Sequence, residues 1–175
     1  MLRIGQILLP VLLAACGSPE SHLPQEAESA DQTPDVVASA GTSSPAPAQE
    51  HLPPPRHAWV IFGADTVLAE VARTADERAQ GLMYRESLSK GKGLIFVFPE
   101  SRIQSFWMKD TFIPLDIAYL DADLRIVDIQ AMEPESVDPH PSALPAMFAL
   151  EVPLGWFGEM GIGVGAQARL VFGPG

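Results

Sequence analysis

From His57 onward the large apolar residues come in short runs, most of them closed by proline, glycine or aspartate. Runs of this length suit strands and are too short for helices that stand on their own propensity. Trp59-Val60-Ile61-Phe62 and Thr66 to Val71 flank Gly63-Ala64-Asp65 and read as a hairpin. Leu94–Phe98, Ser105–Asp110, Leu115–Leu120, Ile126–Met132, Phe148–Val152 and Arg169–Phe172 read as further strands. One helix start is explicit: Thr74-Ala75-Asp76-Glu77 is a capping box, with Ala79, Leu82 and Met83 on one face behind it. Leu154 to Met160 suits one or two helical turns, and Glu133–Pro145 is a long proline-studded loop. The expected fold is mainly β: a small barrel or jelly-roll-like sandwich of about eight short strands with one or two short helices.

This pattern does not extend to the first third of the chain. Residues 1–16 form a basic start, the apolar run Ile4 to Leu13 and then Leu13-Ala14-Ala15-Cys16. The run is about half the ~20 residues a spanning helix needs, and its small residues before the cysteine suit a secretory cleavage site. The tetrapeptide resembles a bacterial lipobox, which implies lipidation at Cys16 and a membrane anchor through that lipid. Gly17 follows the cysteine, so the periplasmic face of the outer membrane is the expected address. Residues 17–56 are rich in Pro, Ser, Ala and Glu without apolar periodicity, and are expected to form a disordered tether. A flexible coil of that length averages roughly 35 Å end to end. Residues 57–175 are the expected single domain, burying roughly two thirds of the surface its unfolded chain exposes.

Cys16 is the only cysteine. Once it is acylated, no thiol remains for nucleophilic or redox chemistry or for a disulfide, and the domain must rely on its apolar core. The net charge of the chain is −11, and residues 57–175 contribute 16 acids against 9 bases. An acidic domain without a basic stripe repels phosphate backbones, so nucleic acid is not an expected partner.

Four segments carry a family resemblance: Glu77-Arg78-Ala79-Gln80-Gly81-Leu82-Met83-Tyr84-Arg85, Gly93 to Phe98, Phe106-Trp107-Met108-Lys109-Asp110-Thr111, and Pro114 to Asp121. In this order they resemble the bacterial and archaeal family known as domain of unknown function 192. The resemblance implies a compact β-rich domain, often exported, and no particular activity. Three positions depart from the family pattern: Asp110 replaces the usual Asn, Leu124 a common hairpin Gly, and Ala166 a frequent Asp after Gly165.

The candidate chemistry centres on a few charged residues. If Ser105–Asp110 and Leu115–Leu120 pair as a hairpin, Lys109 faces Asp116 beside Trp107. Such a pair could bind a polar ligand, with the indole stacking on it, or could pin the strand register. Glu151, set between Leu150 and Val152, is a possible second carboxylate beside Asp116, which would suit a carbohydrate-acting hydrolase. Arg78 and Arg85 could grip a carboxylate or phosphate, or anchor the helix to nearby acids. His57 and His140 lack ligand spacing, so no metal is expected, and Asp121-Ala122-Asp123 reads as a turn rather than a calcium loop. No nucleophile elbow or phosphate loop is present, and no cofactor is expected. The expected function is that of a lipid-anchored, non-enzymatic envelope module for a small polar ligand, a cell-wall ligand or an envelope protein. The hydrolase is the alternative.

Overall fold

The computed structural model describes residues 52–174. The lipobox at Cys16 and all of the expected 17–56 tether before residue 52 lie outside the described residues. The elements run β1 (His57–Phe62), β2 (Asp65–Ala72), α1 (Ala75–Gln80), β3 (Lys92–Arg102), β4 (Ser105–Phe106), β5 (Leu115–Leu120), β6 (Ile126–Met132), β7 (His140–Pro141), β8 (Ala146–Pro153), α2 (Trp156–Glu159) and β9 (Arg169–Phe172). Seven strands form one sheet in the order β6-β5-β8-β3-β2-β1-β9, and β4 pairs with β7 in a second, two-stranded sheet. All pairs are antiparallel except β2–β3, whose parallel register requires the crossover through α1.

The β character is as expected, but the sheet does not close into a barrel. Its two ends approach where Arg125 bridges Gln167, with Ile126 N donating to Ala166 O at 2.9 Å and Ala168 N to Leu124 O at 2.9 Å. The ladder stops there, and β9 pairs with β1 alone.

Period-2 alternation sorts the sheet into two apolar faces. On the first, Val60, Ala69, Ile95, Leu150, Ala118 and Leu120 pack under Trp156 and Phe157 of α2. On the second, Leu94, Phe96, Ala149, Ile117 and Tyr119 pack under Leu82, Met108 and Ile113. Strand β5 lies between β6 and β8 and is buried at all six positions, which explains its near-continuous apolar sequence.

The hairpin expected around Pro114 is absent. Strand β5 pairs with β6 and β8, and the segment after Phe106 turns away as a loop, so Lys109 is not opposite Asp116. Ser105 and Phe106 instead find partners inside the expected Glu133–Pro145 loop, at Pro141 and His140. Residues 133–145 are tied down throughout. Tyr119 Oη donates to His140 O at 2.5 Å, Met108 N to Ser136 O at 2.8 Å and Glu135 N to Thr111 O at 2.9 Å.

Candidate functional site

Among the described residues only two acids are buried, Asp116 and Glu151, and they occupy adjacent strands. Their registers decide their roles. Asp116 pairs with Val152 and Glu151 with Ile117, so the two side chains leave the sheet on opposite faces. A shared acid–base site is impossible in this arrangement, and the two-carboxylate hydrolase expected as the alternative is excluded by it. Ala118 and Leu120 share the face of Asp116, whereas Ala149 shares that of Glu151.

Asp116 is spoken for. Its Oδ2 accepts from Gly155 N at 2.8 Å, at the start of α2, where Gly155 sits at φ +86° and offers no side-chain cap of its own. The carboxylate therefore caps α2 from a neighbouring strand and holds Trp156 and Phe157 over the first face. Burial raises its pKa, opposed by the Gly155 and Phe157 amides.

Glu151 is not. It is 5% exposed, and its Oε2 has no hydrogen-bond partner. Burial alone pushes its pKa up to about 8. A buried, unsatisfied carboxyl costs stability in a fold that otherwise pairs its polar groups, and so calls for a reason. Glu151 lines a recess of about 40 Å³ beneath the C-terminal end of α1. The recess adjoins a groove of about 210 Å³, and Arg78, Phe96, Phe106 and Trp107 border both.

The local sequence explains this opening. The capping box forms as expected: Glu77 N donates to Thr74 Oγ1, and Thr74 N donates back to the Glu77 carboxylate. The helix stops at Gly81, at φ +50° and ψ −133°, a conformation glycine adopts without strain. The reversal drops Leu82 into the core and leaves Met83 beside the recess. Tyr84 N then donates to Asp110 O at 2.8 Å, pinning the exit of α1 to the segment after β4. Between these two segments lies the small recess that Glu151 lines. Phe96 and Phe106 meet edge to face at 4.8 Å between centroids, and Phe106 reaches Tyr119 at 5.8 Å, making one wall aromatic.

The other residues singled out from the sequence fall into two groups. Trp107, 52% exposed, and Arg78 stand at the rim. Arg78 donates to Val97 O at 3.2 Å and to Arg73 O, and its guanidinium lies 5.4 Å from the Phe98 ring centroid. Lys109 sits 5.7 Å from the Trp107 ring centroid but does not line the recess. Arg85 is paired with Glu70 at 2.7 Å, and Asp116 is on the far face. Larger clefts of about 290 and 270 Å³ adjoin His57; of their cations, Arg56 and Arg85 are paired with Glu77 and Glu70, and Arg73 stacks 4.3 Å from the Phe172 ring centroid. Sequence reasoning missed Phe96, Phe106 and Thr111 as site residues. Glu151 itself was legible as an acid inside an apolar run. No group of three or more metal-ligating side chains occurs among the described residues.

Comparison with known proteins agrees with this placement of the fold. Residues 59–170 match the family described as Uncharacterized ACR, domain of unknown function 192. No curated protein matches the chain. Among solved structures, one similar protein comes from Novosphingobium aromaticivorans DSM 12444 and is of unknown function. It is 33% identical, with a TM-score of 0.61 over 65% of this chain and 83% of that one. Another, from Sinorhizobium meliloti 1021 and named as a candidate transcription regulator, is 29% identical, with a TM-score of 0.61 over 65% of this chain and 91% of that one.

Proposed function

Because the chain belongs to the domain of unknown function 192 family, which brings no assigned activity with it, we propose from its own residues that it is a lipid-anchored envelope module whose folded domain binds a small polar ligand, or the polar tip of an envelope partner, without transforming it. One observation carries the reading: Glu151, buried and with an unpartnered carboxyl oxygen, lines a recess between α1 and the segment after β4. A buried group with unmet hydrogen-bonding capacity at the end of a partly aromatic groove is a recognition feature. The second carboxylate that acid–base hydrolysis needs is on the other side of the sheet.

The lipobox supports the anchored part of the proposal. Labelling with a radioactive fatty acid tests it: label should enter the wild-type chain and be absent from Cys16→Ser, which should leave the membrane fraction. A thermal-shift screen of the full chain against cell-wall fragments, sugars, nucleotides, amino acids and amines tests the binding part. Ligand at 100 times its Kd stabilises by about 2.7 kcal/mol. A shift that disappears in folded Trp107→Ala supports the groove as the site. A hit that survives both Trp107→Ala and Glu151→Gln overturns that assignment, and a blank screen overturns the small-ligand reading.

A further inference from the structure

We propose, building on that reading of the groove, that the recess over Glu151 is a receptor for a primary ammonium group carried on a short aliphatic chain. Three observations converge on this chemistry. The recess, at about 40 Å³, admits a head group of ammonium size and little more. Its lining includes a buried acid, Glu151, whose Oε2 lacks a partner. Its approach is walled by Phe98, Phe106 and Trp107, surfaces suited to a methylene stem and, at their ring faces, to a cation.

No other acid lines either the recess or the groove, so a cation entering them has one destination. Arg78, the cation that borders both, is already engaged by the carbonyls of Arg73 and Val97. The remaining groups around the acid come from every element packed against it: Leu94 and Phe96 of β3, Ile117 and Tyr119 of β5, Phe106 of β4 and Thr111 after it, and Leu82 and Met83 after α1. Of these only Tyr119 titrates, and its hydroxyl is engaged with His140 O and held protonated by burial. The domain's excess of acids over bases adds a general attraction for cations.

An ammonium ion needs the ionised carboxylate. Since burial holds Glu151 protonated up to about pH 8, binding must release its proton. Affinity for an ammonium ligand should therefore rise about tenfold per pH unit up to that pH and level off above it.

The test uses the full chain, with n-butylammonium chloride as probe and n-butanol as its uncharged counterpart. Binding is followed by the NMR shift of the Trp107 indole and by calorimetry in buffers of different ionisation enthalpy. The expected result is saturable n-butylammonium binding at pH 8.5, about a hundredfold weaker at pH 6, with proton release and at least tenfold loss in Glu151→Gln. Equal binding of n-butanol, or retention in Glu151→Gln, overturns the ammonium assignment while leaving the groove as a binding site. Absence of any n-butylammonium binding at pH 8.5, with Glu151→Gln folded, also overturns it. The broad screen then decides the general reading separately.

Discussion

Replacing Glu151 with Gln removes one titrating proton from the middle of the sheet while preserving the volume of the side chain. In the unfolded chain the group titrates near 4.5, and in the fold burial moves it to about 8. Between those values the folded chain holds a proton that the unfolded chain has lost, so stability falls as pH rises through the window. It is fully present below about 4.5 and levels off above about 8. Each pH unit inside the window is worth about 1.4 kcal/mol, so between pH 5 and 8 the wild-type chain loses up to about 4 kcal/mol that Glu151→Gln keeps. Asp116, whose pKa is also raised by burial, bends both profiles in the same direction and cancels in their difference. Urea unfolding of both chains at half-unit pH steps measures that difference directly. The curves should meet near pH 4.5 and diverge towards pH 8 with the variant more stable. Parallel curves, or a wild type that gains on the variant as pH rises, would refute the description of Glu151 as a buried acid without a partner.

The other predictions concern single contacts. Gly93→Ala should destabilise by about 2 kcal/mol or more in chemical denaturation, because a Cβ there would lie 2.5 Å from the backbone oxygen of Glu151 and neither strand can retreat without breaking the β3–β8 ladder. Tyr119→Phe should cost about 1 kcal/mol, and the amides of residues 133–145 should exchange faster because the bond to His140 O is lost. Thr74→Ala removes the capping box and should cost about 1 kcal/mol, read as a lowered melting temperature.

Much of the architecture was legible because short runs with period-2 alternation fix both the existence of strands and their inner faces. The capping box at Thr74 and the turn at Asp121 were equally local: Asp121 Oδ1 accepts from Asp123 N and Arg125 N at 2.9 Å and folds the chain between β5 and β6. Pairing was not legible. Leu115–Leu120 follows Ser105–Asp110 in sequence, yet its partners are β6 and β8, and no side chain near Pro114 encodes that choice. The Lys109–Asp116 pair failed for this reason, and Asp116 was separated from Glu151 by the same register. Two departures from the family pattern gain a physical meaning. Asp110 at φ +55° and Leu124 at φ +63° occupy left-handed backbone, where Asn and Gly are the less strained residues.

The pairing of β1 with β9 has a consequence for how the chain is made. Ala58 lies opposite Phe172 and Ile61 opposite Arg169, so the first strand of the fold completes its hydrogen bonding with the last. The two are separated by about a hundred residues, and such contacts form late and slowly. A nascent chain therefore carries nearly its whole core before the outer edge of β1 has a partner. Termination ahead of Arg169 would leave that edge open for pairing with a neighbouring chain, so a lesion of a few C-terminal residues is expected to produce aggregation and not a mildly weakened fold.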